Sequence, residues 1–424
     1  MSKITKYALS DLYDMSSGLS SKKEQAGHGA PFVSFGTVFN NYFLPEELPD
    51  LMDTNEKEQQ IYSIKTGDVL ITRTSETIDE LAMSCVAVKD YPKATYSGFT
   101  KRLRPKREGI AYPKYMAFYF RSALFRKAVT NNAFMTLRAS FNEDIFTFLD
   151  VYLPDYDEQV RIGDMLYNIE CKIQKNKEIN DYLEEMAKTI YDYWFVQFDF
   201  PDENGKPYKS SGGKMFWNDK LNLQIPNTWQ STELSSYGKI ISGGTPSTEN
   251  EDFYADDGIA WITPNDLSNN TSNMFISHGE RDISLQGLNS SSANLIPSSS
   301  ILLSTRAPIG YIAVSMNELT TNQGFKTLVP NDTDNTSFLY YLIKRNIPYL
   351  EQMGTGTTFK EVSKDSMEHI TVILPSNNIL AHFFQKIKPY IMLRKSYEQE
   401  TKKLISIRNW LLPIVMNGQA TIED

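Results

Sequence analysis

YSGFTKRLRP at residues 96–105 and TNQGFKTLVP at residues 321–330 are the two phrases that reveal how this chain is built. Each contains a Gly-Phe pair followed by basic and apolar residues and ends in proline. When the two phenylalanines are matched, Phe99 corresponds to Phe325, an offset of 226 in the numbering. Such a recurrence is the first sign that part of the chain is repeated.

Two further landmarks recur in the same order. Ser17-Gly18 is found again as Ser242-Gly243 at an offset of 225, and Leu153-Pro154 is found again as Leu374-Pro375 at an offset of 221. Because three landmarks keep one order and nearly one spacing, we predict two related modules.

Within each module, short apolar runs alternate with turn residues, a pattern typical of strands. The predicted strands are 33–35, 68–71, 259–262 and 301–303, and the predicted helices are 112–129 and 337–353. We therefore expect mixed α/β (α+β) modules.

A long helical pattern follows each Leu-Pro pair. In the first, Glu158 stands three residues after Asp155, as in a capping box. Its apolar seam consists of Ile162, Leu166, Ile169, Ile173, Leu183, Ala187, Ile190 and Trp194, interrupted by Asn176 and Asn180. The second seam consists of Phe384, Ile387, Ile391, Leu404, Ile407 and Leu411, around a polar centre at 394–398. Steps of three and four residues indicate an antiparallel coiled coil of two long helices, with a pseudo-two-fold relation between the modules.

The predicted boundaries follow from these patterns. They are 1–155 for the first module, 156–199 for the first long helix, 200–224 for a linker rich in Pro, Gly and Ser, 225–375 for the second module and 376–424 for the second long helix.

The composition excludes several classes of protein. Two cysteines cannot form a disulfide framework, and no Cys/His cluster has metal-ligand spacing. The first residues do not form a signal peptide, and no apolar run reaches the about 18 residues of a membrane span. We expect a cytoplasmic protein with reduced thiols and no membrane contact.

The charge is low for a protein that would bind nucleic acid on its own. The chain carries a formal charge of −9, residues 1–155 contain 19 basic and 19 acidic residues, and residues 225–375 contain 8 basic and 16 acidic residues. Since phosphate contacts require cations, these numbers argue against a tight, independent DNA clamp. They are compatible with a protein that reads base edges while its partners hold much of the backbone.

The chain resembles the specificity subunits of type I restriction–modification systems over nearly its whole length. The phrases that carry the resemblance are ISGGTPS (241–247), ITPNDL (262–267), LLSTRAPIGYIAV (302–314), TNQGFKTLVP, GTGTTFKEVS (354–363), LPxxxEQ (153–159), YDYWFVQFDFP (191–201), SSGGKMFWNDKL (210–221) and IPNTW (225–229). The chain departs from the family pattern at Ile379-Leu380, where the first copy has Glu158-Gln159, and at Ser17-Gly18, which no Gly-Thr-Pro follows.

The resemblance implies a function without catalysis. Each module would be a target recognition domain that reads one half of a bipartite site on double-stranded DNA. The long helices would set the spacer and dock two methyltransferase (modification) subunits. The family also implies nuclease/translocase (restriction) subunits in a prokaryotic cytoplasm. This chain is expected to bind no cofactor or metal, whereas S-adenosylmethionine, and ATP and Mg²⁺ for restriction, would belong to the partner subunits.

Candidate DNA-binding residues combine hydroxyls, glycine amides, amides and cations, the groups that contact phosphates and base edges. In the first module they are Ser17, Arg73, Lys101, Arg102, Arg104 and Arg138. In the second they are Ser242, Gly243, Gly244, Thr245, Ser247, Arg306, Gln323, Lys326, Thr355, Thr357, Thr358 and Lys360. The alternative is that the glycine-rich phrases are ordinary turns and that the basic run at residues 101–107 is a solvated face. Asn322, next to Gln323, could likewise cap a turn.

Two rival functions remain open from the sequence. Pro154-Asp155 followed by Glu170-Cys171-Lys172 matches the spacing of a metal-dependent nuclease motif, although Glu170 falls inside a predicted helix. The chain could also be a scaffold whose modules bind proteins, a possibility favoured by its negative charge. Methyltransferase, nucleotide-binding and Ser/His/Asp motifs are absent from the sequence.

Overall fold

The structure is a computed structural model that describes residues 4–75, 77, 80–132, 139–306, 308–354 and 361–420. The chain forms two compact units. The first comprises Met1–Ile173 and Lys403–Asp424, and the second comprises Gln174–Lys402.

The first unit contains eleven described strands and six short helices before the first long helix. The strands are β1 (Thr5–Ala8), β2 (Tyr13–Ser17), β3 (Ala26–Val33), β4 (Asp50–Met52), β5 (Val69–Thr72), β6 (Thr74–Ser75), β7 (Ser84–Val86), β8 (Thr95–Tyr96), β9 (Thr100–Pro105), β10 (Ala139–Ser140) and β11 (Asp150–Leu153). The helices are α1 (Leu9–Leu12), α2 (Phe35–Asn40), α3 (Glu56–Ile61), α4 (Pro113–Tyr119), α5 (Ala123–Asn132) and α6 (Glu143–Phe148). The long helix α7 (Tyr156–Phe195) follows.

The second unit repeats this plan, and the second long helix begins within it. Its strands are β12 (Met215–Asn218), β13 (Leu223–Pro226), β14 (Gln230–Glu233), β15 (Gly238–Ser242), β16 (Tyr254–Ala255), β17 (Ile259–Ile262), β18 (Phe275–Ile276), β19 (Arg281–Ile283), β20 (Ile301–Thr305), β21 (Ile309–Ser315), β22 (Thr320–Thr321), β23 (Phe325–Pro330) and β24 (Thr371–Leu374). Its helices are α8 (Pro264–Ser268), α9 (Leu285–Asn289), α10 (Thr336–Met353), α11 (Lys364–Glu368) and the long helix α12 (Asn377–Met416).

The duplication is visible in the sheet topology. In the first unit the order β2-β9-β5-β7 forms an antiparallel sheet, and in the second the order β15-β23-β20-β21 forms the same arrangement. Each module also has a parallel pair, β3 with β8 and β17 with β22. Each is closed by an antiparallel pair of its first and last strands, β1 with β11 and β14 with β24. The expected repeat of mixed modules is therefore confirmed.

The two long helices are also equivalent in length. Helices α7 and α12 each contain 40 residues, and their first residues, Tyr156 and Asn377, are 221 positions apart. This offset equals that of the two Leu-Pro pairs. Each helix is therefore about 60 Å long at a rise of about 1.5 Å per residue.

The long helices run antiparallel within each unit. In the second unit Asn176 donates to Glu400 at 2.8 Å, and Glu184, further along α7, pairs with Arg394, which lies earlier on α12. In the first unit, Glu170 pairs with Arg408 at 2.5 Å. The expected pairing is confirmed, and polar residues fix its register near the middle.

A buried ionic network joins the helix pair of the second unit to its module. Arg394, with 5% of its side chain exposed, bonds Glu184 and, at 3.0 Å, Glu398. Glu398 accepts hydrogen bonds from the backbone N–H groups of Met274 and Phe275 at 2.8 and 2.9 Å. Burial raises the pKa of Glu398 above its usual value despite the neighbouring arginine. The network thus connects α7, α12 and the region of β18.

The missing Glu-Gln of the second helix has a simple structural replacement. In the first copy, Gln159 is buried and bonds the backbone of Tyr112 and Ile110 at 3.0 and 2.9 Å. At the offset of the two Leu-Pro pairs, its counterpart is Leu380, which is 5% exposed and belongs to the second module's hydrophobic core. An apolar contact therefore fixes this helix start where the first copy uses an amide.

Some predicted elements differ from the structure. The region 112–129 contains two helices, α4 and α5, because the Ser122 hydroxyl accepts from the Phe125 N–H at 3.4 Å and starts a new helix. The predicted strand 33–35 ends at Val33, since Ser34 caps α2 through the Thr37 N–H at 3.2 Å. In the second long helix Ile407 is 47% exposed, so it does not belong to the apolar seam, and its prediction as a seam residue is wrong.

The segment predicted as a linker is more ordered than its composition indicated. Strands β12 and β13 pair there as a hairpin, and Phe200 stacks on Tyr208 and Trp229 with ring centroids 4.8 and 5.0 Å apart. These rings continue the aromatic cluster at the end of α7, where Trp194 and Phe195 are buried. Their packing, rather than the Gly and Ser content, determines the structure here.

Within the described residues, none of the helices combines the length and the apolar character that a membrane span requires.

Candidate nucleic-acid interface

The first module collects several predicted residues at one edge of its antiparallel sheet. Ser17 ends β2 and lies opposite Lys101 on β9, while Thr72 ends β5 and lies opposite Thr100. Arg73 follows directly, and its N–H bonds the carbonyl of Phe99 at 2.8 Å. Because neighbouring strands are antiparallel, the ends of β2 and β5 meet the start of β9.

The second module has the same edge in the same register. Ser242 ends β15 and lies opposite Lys326 on β23, just as Ser17 lies opposite Lys101. Arg306 follows the end of β20, as Arg73 follows β5. Both members of the strand pair are shifted by the same offset, 225, so these positions are equivalent in the two modules.

This register corrects the match between the two phenylalanines. At an offset of 225, Phe99 corresponds to Gly324, and Phe325 corresponds to Thr100. Phe99 accordingly lies in the turn before β9 and is 66% exposed, whereas Phe325 is fully buried. The strand hydrogen bonds, rather than residue identity, define the alignment, and the offset of 226 was wrong by one residue.

Lys101, Ser17 and Arg73 form a small polar surface on the first module. The Lys101 ammonium donates to the Ser17 hydroxyl at 2.9 Å. Partial burial, and then the nearby charge of Arg73, lower the pKa of Lys101, while Glu143 acts in the opposite sense. The Arg73 side chain is exposed. Among the residues that the structure describes, neither cation has a carboxylate within ion-pair distance.

Arg102 and Arg104 are used inside the module. Arg104 forms two hydrogen bonds to the buried Asp68 at 2.8 and 2.6 Å, and these bonds raise its pKa. Arg102 is 9% exposed, donates to the Ser63 carbonyl at 2.5 Å and lies over the Tyr96 ring. Their charges therefore support the sheet through Ser63 and Asp68.

Two arginines that follow the basic run in the sequence also have structural partners. Arg121 is mostly buried and donates to the carbonyls of Val38, Phe39 and Asn41, at the end of α2, and to that of Ser84. Burial lowers its pKa. Arg126 donates to the Leu81 carbonyl. The basic residues of the first module thus form neither a continuous phosphate-binding face nor a wholly solvated face.

The Gly243-Gly244 turn is a close approach of backbones. A Cβ on Gly243 would lie 1.9 Å from the Asn322 carbonyl oxygen, and a Cβ on Gly244 would lie 2.3 Å from the Ala293 nitrogen. The Trp261 indole N–H donates to the Gly244 carbonyl at 3.0 Å. These glycines are required by packing, as is Gly18, where a Cβ would lie 2.1 Å from the Ser97 carbonyl oxygen.

Polar side chains surround this turn. The Thr245 hydroxyl donates to the side-chain oxygen of Gln323, so two of the predicted residues are in contact. The Gln323 side chain is exposed. Ser247 is exposed and accepts from the Glu249 N–H at 3.4 Å. Asn322 accepts from the Gly324 N–H at 2.9 Å and so caps the turn, as its alternative interpretation held. Gln323 is the better placed amide for reading a base.

Lys326 differs from its counterpart Lys101 in having a carboxylate partner. Its ammonium lies 3.3 Å from Glu361, and its side chain is 8% exposed. Glu361 is brought there by a backbone bridge to Arg306, next to the bond from the Val362 N–H to the Thr305 carbonyl at 3.0 Å. No sequence signal pointed to this pair, because the two residues are 35 positions apart.

Five predicted residues lie outside the described residues. They are Arg138, Thr355, Thr357, Thr358 and Lys360. Their assignment to the interface stays a prediction.

Replacing Gly243 by alanine should lower the free energy of unfolding by about 1–3 kcal/mol, because the new methyl group has no space beside the Asn322 carbonyl. Urea unfolding measures the change, and Gly18→Ala should behave alike. Gly36→Ala is the control, since only the Ser34 hydroxyl lies near its Cβ, at 3.9 Å. A loss below about 0.5 kcal/mol for Gly243→Ala would show that the turn relaxes easily.

The geometry does not favour the nuclease alternative. Asp155 precedes α7 and Glu170 lies within it, so about 15 helical steps separate them by about 22 Å. Glu170 is moreover paired with Arg408. These two carboxylates cannot share one metal ion. Among the described residues, no group of three or more His, Cys, Asp or Glu side chains is arranged to hold a metal ion.

This chain is similar to known proteins over most of its length. The model of the type I restriction modification DNA specificity domain matches residues 1–185 and again residues 226–404. The specificity subunit of the HindI type I restriction enzyme of Haemophilus influenzae is 25% identical, over 92% of this chain and 94% of that protein. The MjaIX specificity subunit of Methanocaldococcus jannaschii is 38% identical over 155 residues, which are 36% of this chain and 35% of that protein.

A solved structure with the same fold is that of another specificity subunit. The S subunit of a type I restriction–modification system from M. genitalium aligns with a TM-score of 0.62 and covers 98% of this chain and 96% of that one. The sequence identity is 13%, so this likeness concerns the fold alone.

Proposed function

This chain belongs to the type I restriction modification DNA specificity family, and from that premise we propose that its two modules each read one half of a bipartite site on double-stranded DNA. In this proposal the chain selects the sequence, and partner subunits carry out methylation and, where a restriction subunit is present, cleavage. S-adenosylmethionine, ATP and Mg²⁺ would be bound by those partners. The chain itself would be non-catalytic.

The observation that carries the proposal is the equal register of the two sheets. Ser17 and Lys101 in one module, and Ser242 and Lys326 in the other, occupy the same pair of positions. The loops around these positions differ, because the first module exposes Phe99 there and the second exposes Gln323. One scaffold that presents two different edges is suited to reading two different half-sites.

The long helices have features suited to two further roles. Their equal length of 40 residues would fix the spacer between the half-sites. They also carry exposed apolar side chains, which we assign to docking of two modification subunits: Tyr182, Met186, Met392, Leu393 and Trp410. Exposed apolar groups of this size are typical of protein interfaces.

Exchanging a module tests the proposal directly. Replacing residues 225–375 by the second module of another family member should change one half-site and leave the other half-site and the spacer unchanged. The measurement is the map of methylated sites in cells that express the chimaera with its modification subunit, compared with cells lacking this chain. If both half-sites change, or neither changes, the modules do not read DNA independently.

A mobility-shift experiment separates this function from a protein-binding scaffold. The complex with modification subunits should shift a duplex containing the mapped site at a lower concentration than a scrambled duplex, by about 10³-fold or more. Equal shifts would favour the scaffold, which the formal charge of −9 allows.

A further inference from the structure

We propose that the two modules contact the DNA backbone unequally: Lys101, with Ser17 and Arg73, binds a phosphate of the first half-site, whereas Glu361 holds Lys326 and prevents the equivalent contact in the second. This inference rests on the proposed function, because it concerns how the two half-sites are held. It also explains how a chain with an acidic second half can bind DNA.

The two lysines occupy equivalent positions in the two modules. Lys101 on β9 pairs with Ser17 of β2 on one side and with Ile71 of β5 on the other. In the same way, Lys326 on β23 pairs with Ser242 of β15 on one side and with Leu303 of β20 on the other. The same backbone geometry therefore directs both side chains, and the difference between them arises from what surrounds each ammonium group.

In the first module the surroundings favour an anion. The Lys101 ammonium is 2.9 Å from the Ser17 hydroxyl, and the positive charge of Arg73 is close enough to lower the Lys101 pKa. Two neighbouring cations repel each other, and a phosphate between them would remove that repulsion. The Ser17 hydroxyl adds a neutral donor of the kind that positions phosphates. Glu143 is the carboxylate that influences Lys101, and it lies beyond ion-pair distance.

In the second module the same position is neutralised. Glu361 lies 3.3 Å from the Lys326 ammonium, and 41% of the Glu361 side chain is exposed. A phosphate approaching Lys326 would meet this carboxylate and be repelled by it. The backbone bridge between Arg306 and Glu361 holds the carboxylate at the sheet edge. Displacing it would therefore require local rearrangement.

The overall charges agree with this division. Residues 1–155 contain 19 basic and 19 acidic residues, whereas residues 225–375 contain 8 basic and 16 acidic residues. A module with so many acidic residues gains little from general attraction to phosphates. In the second module, contacts with base edges, such as those available to Gln323, would carry a larger share of recognition.

Salt dependence of binding is the appropriate test. The full chain, in complex with its modification subunits, is titrated with a duplex containing the mapped site between about 50 and about 200 mM salt. Each phosphate contact contributes about 0.9 to the slope of log K against log salt concentration. Lys101→Met should reduce the slope by about 0.9, so the loss of affinity between these salt concentrations becomes about 3.5-fold smaller.

Two variants in the second module provide the matched comparison. Lys326→Met should leave the slope unchanged, because its charge is already paired. Glu361→Gln should steepen the slope by up to about 0.9 and tighten binding at low salt, because it releases Lys326 for a phosphate. Thermal unfolding of each variant checks that the fold is retained.

The outcomes distinguish this division of contacts from the proposed function. If Lys101→Met and Lys326→Met reduce the salt slope equally, or if Glu361→Gln does not change it, the unequal division of contacts is wrong, while sequence-specific binding can still hold. If the wild-type complex shows no preference for its mapped site over a scrambled duplex, the proposed function itself fails.

Discussion

Arg394→Met should lower the free energy of unfolding by about 3–5 kcal/mol, one of the two largest effects that the structure leads us to expect. The substitution leaves the buried Glu398 without its cation, whereas Glu184, which is 20% exposed, keeps Lys344 at 2.6 Å. Glu398 must keep accepting from the N–H groups of Met274 and Phe275, so it cannot turn towards solvent. Urea unfolding of the purified chain measures the loss.

The pH dependence gives this prediction a second readout. Burial already raises the pKa of Glu398, and removing Arg394 raises it further. A carboxyl whose pKa is raised in the folded state stabilises the fold only when protonated, so stability falls as the pH rises through that pKa. The loss in Arg394→Met should therefore be larger at pH 8 than at pH 5.

Two further variants control for the change of side chain. Lys403→Met removes an exposed cation from the same helix and should alter stability by less than about 0.5 kcal/mol. Adding Glu398→Gln to Arg394→Met should recover part of the loss, because the neutral amide needs no counter-ion and its oxygen still accepts one of the two backbone hydrogen bonds. A loss below about 1 kcal/mol in Arg394→Met would mean that water reaches the network.

Deleting one heptad from each long helix should shorten the recognised spacer by about three base pairs. Residues 171–177 and 400–406 are suitable, because the deletion removes both Asn176 and Glu400 and keeps the Glu170–Arg408 and Glu184–Arg394 pairs. Seven residues correspond to about two turns, so the seam keeps its phase while about 10 Å is lost. Affinity for the original site should fall by about 10³-fold or more, towards non-specific binding.

Maps of methylated sites measure this effect. The half-sites should be unchanged and the spacer shorter, and an insertion of seven residues at the same points should lengthen it by about three base pairs. A variant that folds and methylates with the original spacer would disprove the role of the helices as a ruler.

The sequence was sufficient for the large-scale plan because the plan depends on repetition and on periodic apolar residues. The repeated landmarks predicted two modules, and the seam from Ile162 to Trp194 predicted a long paired helix. The same reasoning failed locally at Ile407, since a run of apolar residues offers more than one seam. It also failed at Ser122 and Ser34, where a single hydroxyl determines where a helix begins.

The candidate interface was predicted less well than the fold. Ser17, Lys101 and Arg73 lie together as a possible contact surface, but Arg102 and Arg104, in the same basic run, are held by Ser63 and Asp68. Side chains alternate between the two faces of a strand, so neighbouring cations in the sequence have different surroundings. Composition alone cannot distinguish them.

The sequence alone establishes that the chain contains two copies of one module and that each copy is followed by a long amphipathic helix. Both properties can be read from the sequence because they recur at regular intervals along it. The register that makes Lys101 and Lys326 equivalent, and the contact that pairs Lys326 with Glu361, exist only in the folded molecule. The physical reason is that charge pairing depends on distances of a few ångströms between residues that the fold brings together, and no local pattern records those distances.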